Sequence, residues 1–198
     1  MARPRRSHET RERLLEEGMK VLREQGYHGT GIKEVLDRVK VPKGSFYNYF
    51  ASKEQFGAEV IRHYTAGLLA RMDAALGNAE LDGLEALRRY YEAAIALYEE
   101  LSTQEGCLLC NLGAEIGGSS PQGSDAVCEA LKGQHERLSR ALARAQANGS
   151  VRHDVPAADL AHGLLDAWNG ALIRMKSRQS VEPLRQFRAL FLDRLLKS

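Results

Sequence analysis

The chain has only three cysteines, five prolines and no long apolar run in 198 residues, and each scarcity excludes a class of protein. Three cysteines are an odd count and too few for a disulfide framework, so they suit a reducing compartment. Few prolines and no long polar tract leave little room for disorder. Nowhere does an apolar run approach the roughly 18 residues of a membrane helix. The opening MARPRRSHETRERLLEE is charged where a signal peptide needs an apolar core, and the expected location is cytoplasmic. There is no internal repeat and no strand-like alternation. G-x-S-x-G, a phosphate-binding glycine loop and H-E-x-x-H are all missing, and Gly117-Gly118 has no strand before it. No enzyme, cofactor or metal is expected. The residual enzymatic alternative is a thiol-dependent one, which would need His63, His135 or His162 beside Cys107.

What is present points to helices. Hydrophobic residues make up 43% of the chain, enough for a core in one large domain or in a small one followed by a medium one. Net charge is only +2, but residues 1–50 hold 11 Lys and Arg against 7 Asp and Glu, while the remainder holds 17 against 19. A basic excess at one end is what phosphate binding asks for, because each neutralised phosphate releases counterions. A solvated surface alone often shows as much.

The organising stretch is Thr30 to Phe56. Ile32, Val35, Leu36 and Val39 recur at helical spacing, and after Val41-Pro42 so do Phe46, Tyr47, Tyr49 and Phe50. This spacing predicts a helix, a tight turn near Lys40 and Val41, and a second short helix whose first turn accepts Pro42. That second helix is too short and aromatic to stand alone, so neighbours must pin one face. Its start carries Lys43, Gly44, Ser45, Tyr47 and Asn48: a cation for phosphate, a residue without side chain for close approach, and polar groups for phosphates and base edges. Ahead of it, Met1 to Ser7 reads as a flexible basic arm. Its Arg5 and Arg6 are candidate minor-groove contacts, with a solvated basic tail as the bland reading.

Gly26-Tyr27, Thr30, Val35, Val41, Lys43-Gly44, Tyr47, Tyr49-Phe50 and Ser52-Lys53-Glu54 stand in one fixed register. In that register the chain resembles the N-terminal DNA-binding domain of TetR-type transcriptional regulators. Together with the arm and the presented helix, it makes Arg5, Arg6, Thr30, Lys43, Gly44, Ser45, Tyr47, Asn48 and Lys53 the candidate DNA contacts. The chain departs from the family at Val39-Lys40, where many relatives carry Ala-Gly, so Lys40 is expected to take a left-handed turn.

The remaining chain reads as further helices. Leu15, Met19 and Leu22, with Leu14, Gly18 and Val21 beside them, stripe a helix over Ser7 to Gln25, closed by Gly26. Ser52 with Gln55 forms a capping box for a long helix from Lys53 to Leu76. Such a helix links the DNA-reading end mechanically to the rest. Others follow Gly83, Gly123, Pro156 and Pro183. The last two, with Leu164, Trp168, Phe187 and Phe191, carry wide apolar faces of the kind that pair across a two-fold axis. The resemblance implies a four-helix dimer interface there.

Glu105 to Pro121 is the second informative stretch. Cys107, Leu108, Leu109, Cys110, Leu112 and Ile116 predict a short buried helix in which Asn111 and Glu115 share a face and need partners, on a neighbouring helix or a small molecule. Cys107-x-x-Cys110 admits three readings: a redox pair, half of a metal site with Cys128 and His135, or ordinary core. A lowered thiol pKa needs a helix start or a cation, and Cys107 sits at the start, with Arg174 and Lys176 as candidate cations. The run Gly106-Cys107-Leu108-x-x-Asn111-Leu112-x-x-Glu115 resembles a TetR-type subgroup that includes the N-ethylmaleimide reductase repressor and the acrylate-utilisation regulator. There the Cys after the Gly belongs to the sensing site.

The expectation is an all-α chain of about nine helices, with a helix-turn-helix DNA-binding domain at 1–52 and a ligand-binding and dimerisation domain at 53–198. Tyr64, Tyr98, Cys107, Asn111, Glu115, Trp168 and Lys176 are the sensing candidates, although Tyr is more often core than ligand box. The expected function is a homodimeric repressor released from palindromic double-stranded DNA by a small molecule or electrophile, without membrane association. A cysteine redox sensor or an activator of the same fold is the alternative. A helical adaptor that binds only protein would not need Lys43, Gly44 and Tyr47 on a presented helix.

Overall fold

The computed structural model describes the backbone of residues 3–100 and 106–197, with side chains from Ser7 onward within those spans. Every regular element among the described residues is helical: α1 (Arg3–Gly29), α2 (Ile32–Val39), a 3₁₀ helix (Lys43–Asn48), α3 (Lys53–Leu76), α4 (Gly83–Glu100), α5 (Leu108–Ile116), α6 (Pro121–Ala147), α7 (Ala157–Arg178), α8 (Glu182–Leu190) and a π-helical turn (Phe191–Leu195). None of these is long and apolar enough to cross a membrane. Packing groups the chain into two compact units. The first takes the described residues up to Ala66 together with Cys107–Ala130, and the second takes the rest, so that α3 and α6 each contribute to both.

In the first unit α1 begins at Arg3, four residues earlier than expected. The arm read over Met1 to Ser7 is therefore helical in its described part, and Pro4 falls in the first turn, where a missing N–H costs nothing. The side chains of Arg5 and Arg6 lie outside the described residues. Gly26 breaks the helix with φ 74°. Leu14, Leu15, Val21, Leu22, Val35, Leu36 and Val39 form the core beneath α1 and α2, as their helical spacing demands. Lys40 takes the left-handed conformation at φ 57°, as expected for a non-glycine residue at this turn.

The second reading helix is 3₁₀ rather than α. Six residues containing Gly44 and a run of aromatics cannot sustain an i→i−4 ladder, and the tighter turn serves short pieces. Phe46, Phe50 and Phe56 pin its inner face, with ring centroids 5.4, 5.6 and 4.9 Å apart. Phe56 opens α3 behind the expected cap: the Gln55 amide donates to Ser52 Oγ at 3.0 Å, and Gln55 Oε1 accepts from the Ala51 amide at 2.6 Å.

The second unit is built on α4, α7 and α8 with the later part of α6. A Cβ at Gly83 would lie 2.1 Å from the Ala141 carbonyl oxygen, so only glycine lets α4 start against α6. Tyr91, Trp168 and Phe187 form one cluster with centroids 4.8 to 5.1 Å apart, and Phe191 stacks on Phe187 at 5.2 Å. Beyond that cluster α7 and α8 leave apolar surface uncovered. Ile173, Leu190 and Leu195 are exposed, the Gly170 Cβ position meets nothing within 4 Å, and a groove runs between Gly170, Arg174, Phe187 and Leu190.

Candidate nucleic-acid interface and thiol site

The 3₁₀ helix has two unlike faces. Phe46 is fully buried, whereas Tyr47 is 64% exposed and Lys43, Gly44 and Asn48 are exposed with it, Ser45 being half-buried. Nothing approaches the Gly44 Cβ position within 4 Å, so a phosphate can come close to the backbone there. Lys33 and Lys40 are further exposed cations outside the expected DNA contacts, Lys33 lying 3.8 Å from the Asp37 carboxylate. Arg38, by contrast, is held by Glu24 at 2.7 Å and Glu34 at 3.0 Å, which hold its charge in place.

Two of the other expected DNA contacts do structural work. Thr30 is buried, and its hydroxyl donates to the Gly26 carbonyl at 2.6 Å, closing the turn into α2. The Lys53 ammonium lies 4.6 Å from the Tyr27 ring centroid, a cation–π contact. Burial lowers its pKa, against a raising influence from Glu115.

The thiol site lies in the same unit. Cys107 is the N-cap of α5 with extended backbone (φ −87°), buried at 7% exposure. Its sulfur lies 3.7 Å from the Tyr64 hydroxyl, and Arg23 sits 5.8 Å from the Tyr64 ring centroid. The Cys107 pKa is lowered to about 6, foremost by the Cys110 thiol hydrogen bond, against burial, and with help from the Cys110 and Leu109 amides and the Tyr64 hydroxyl. The same hydrogen bond, with burial, pushes Cys110 up. The two thiols titrate as a pair, and the helix start and the Cys110 hydrogen bond both favour the charge on Cys107. Cys128 is exposed. Among the described residues no three His, Cys, Asp or Glu side chains are grouped as a metal ion would require.

Of the remaining sensing candidates, Asn111 and Glu115 also lie on α5, but Glu115 does not present itself to a ligand. Its carboxylate accepts from the Tyr27 amide at 2.7 Å and the His28 amide at 3.2 Å. Tyr98, Trp168 and Lys176 belong to the second unit. There Trp168 is part of the aromatic core, Tyr98 is half-buried on α4, and the Lys176 stem packs where a Cβ on Gly106 would sit, 2.9 Å from its Cδ. What the sequence reading undervalued was Cys110. Its position three residues after an N-cap was the available signal, since that spacing turns it back toward Cys107.

A model of the tetR family of bacterial regulatory proteins matches residues 14–60, and one of the tetracyclin repressor-like C-terminal domain matches residues 83–191. The chain belongs to the TetR family. Among the relatives of this TetR-family chain is the HTH-type transcriptional repressor DhaR of Mycobacterium sp. strain GP1, 32% identical over 188 residues, covering 95% of this chain and 93% of that one. The repressor NemR of Escherichia coli is 32% identical over 177 residues, covering 89% of each. The regulator AcuR of Cereibacter sphaeroides is 32% identical over 178 residues, covering 90% and 81%. The crystal structure of the reduced form of E. coli NemR superposes with TM-score 0.88 at 31% identity, covering 96% of this chain and 97% of that one. The TetR-family chain is accordingly a DNA-binding transcriptional regulator with a helix-turn-helix at its N-terminal end.

Proposed function

We propose that this chain is a homodimeric repressor that holds a palindromic operator through its 3₁₀ helix and leaves it when a small electrophile adds to Cys107. The activated thiol carries this reading: Cys107 sits at a helix start, hydrogen-bonded by Cys110 and within reach of Tyr64. An α,β-unsaturated carbonyl or a quinone is the matching reagent class. The thiolate adds to the β-carbon, a C–S bond forms, and the enolate takes a proton from solvent. Lys43, Gly44, Ser45, Tyr47 and Asn48 contact DNA, joined by Lys53 and by Arg5 and Arg6 from the first turns of α1. Two copies related by a two-fold axis read half-sites about 34 Å apart. Release follows if the modified dimer prefers a wrong spacing of its reading heads. The protein acts in the cytoplasm and carries no catalytic activity.

The test treats the protein with quinones and reactive carbonyls, locates adducts by mass spectrometry, and follows binding to the DNA upstream of its own gene by gel shift. An adduct on Cys107 that tracks release supports the reading. Release of Cys107→Ser by every ligand that releases the wild type would overturn it in favour of a reversible pocket.

The Cys110 hydrogen bond favours a second reading, a dithiol redox sensor. Cys107 thiolate attacks a hydroperoxide to give a sulfenic acid and an alcohol, and Cys110 thiol then displaces water to form a disulfide. Loss of two hydrogens from the α5 peptide, reversed by dithiothreitol, is its signature.

A further inference from the structure

The two ends of α5 face different tasks. Cys107 caps its start, and Glu115 stands in its last turn, eight residues on and about 12 Å along the axis. A carboxylate in the last turn opposes the helix dipole, so Glu115 contributes nothing favourable to α5 itself. Its partners are elsewhere. It accepts from the backbone amides of Tyr27 and His28 at 2.7 and 3.2 Å, the first amides after the helix break at Gly26. A Cβ on Gly26 would lie 2.5 Å from Glu115 Oε1, so the carboxylate occupies the space that the glycine leaves. His28 reaches back to the Glu115 carbonyl at 3.4 Å.

The loop after α5 makes a second tie of the same kind. Ser120 Oγ donates to Glu54 at 2.8 Å, in the first turn of α3. Tyr27 and Glu54 bracket the reading segment, one just before α2 and the other just after the 3₁₀ helix. Tyr27 in turn carries Lys53 on its ring and packs against Gly57, whose Cβ position lies 2.9 Å from Tyr27 Cε2.

We propose that Glu115 is a positioning residue for DNA binding: its carboxylate fixes the Tyr27–His28 turn, and α5 passes a change at Cys107 to the reading segment. The first half stands on the geometry alone; the second rests on Cys107 being the trigger. A nine-residue helix moves as one piece, so an adduct that displaces its start displaces Glu115. Two charge-assisted hydrogen bonds with directional donors do not survive such a shift.

The experiment measures operator affinity of wild type, Glu115→Ala and Glu115→Gln, each with and without N-ethylmaleimide, on samples shown folded by circular dichroism. Glu115→Ala is expected to bind DNA about tenfold more weakly before treatment, with Glu115→Gln between. Amide exchange at Tyr27 and His28 should quicken in Glu115→Ala. Alkylation should then add less than in wild type, because the link it breaks is already gone. Ser120→Ala, which leaves Glu115 intact, is expected to lose affinity by a smaller factor and supplies the test if Glu115→Ala does not fold. Wild-type affinity in folded Glu115→Ala overturns the positioning role, as does wild-type affinity in Ser120→Ala where Glu115→Ala does not fold. Weak binding by Glu115→Ala with the full wild-type fold-release on alkylation overturns the transmission. If wild type itself keeps its operator when alkylated at Cys107, the trigger falls, and the positioning role still stands or falls on the untreated variants.

Discussion

Two aromatic clusters, one in each unit, do the same packing work and present opposite chemistry. Phe46, Phe50 and Phe56 pin the 3₁₀ helix from within and leave Lys43, Gly44, Tyr47 and Asn48 outward. Tyr91, Trp168 and Phe187 pin α7 and α8 and leave Ile173, Leu190 and an apolar groove outward. In both cases the rings decide where the backbone sits, and the residues between them decide what it meets. A polar, cationic face with an open glycine suits a hydrated polyanion. An apolar face with an open glycine suits a second protein surface, because only burial rewards it.

The sharpest way to break the comparison is to put a charge on the apolar side. Leu190 is 47% exposed in the protomer, so Leu190→Asp should leave a single copy folded while burying an unpaired carboxylate on association, a cost of about 3 kcal/mol or more. Sedimentation should show monomer, and operator binding should be lost with the dimer. A native protein that stays monomeric at micromolar concentration would remove the basis for the contrast. Phe187→Asp is the control, expected to unfold the protomer because it strikes the cluster itself.

The next effect is on release. Cys107→Ser should bind the operator as wild type does and lose release by electrophiles, whereas Cys128→Ser should respond normally, since Cys128 is exposed on α6 and not at the start of α5. A gel shift with and without a quinone reads both. On the polar side, Lys43→Ala should weaken all sequences by a similar factor and reduce the salt slope by about one. A change confined to one base position would instead make Lys43 a base reader.

The smallest expected effect concerns the thiol itself. With the Cys107 pKa held near 6, alkylation by iodoacetamide should rise through that pH and flatten by about pH 8, where an ordinary thiol, with a pKa near 8.5, is still gaining. Cys110→Ala removes the largest cause and should move the midpoint upward; Tyr64→Phe should move it less. An unchanged midpoint in Cys110→Ala would dissociate the pair.

Much of this architecture was readable from spacing. The α3 limits and the Ser52–Gln55 cap follow from local chemistry, which a single sequence carries, whereas the left-handed Lys40 was expected from the resemblance, through the Ala-Gly that many relatives carry there. The 3₁₀ character of the second reading helix does not, because apolar recurrence over six residues cannot distinguish a turn of 3.0 from one of 3.6 residues. Glu115 is the clearest case. Its need for a partner was visible, but the donors are backbone amides 88 and 87 residues earlier, and every non-proline residue has one, so no side-chain pattern marks them. Trp168, grouped with Cys107 as a sensing candidate, lies in the aromatic cluster of the second unit with Tyr91 and Phe187.

Among the described residues, Lys40 and Gln179 are the non-glycine residues held at positive φ, 57° and 52°, each ending a helix where glycine is the usual choice. Either strain, roughly 1 kcal/mol, would be relieved by glycine. At Gln179 the change removes only a side chain that folds back on the Lys176 carbonyl. At Lys40 it also removes an exposed cation two residues before Pro42 and the reading helix. Selection for heat resistance alone would collect glycine at both positions; selection that also demands operator binding should take Gln179→Gly and leave Lys40 in place.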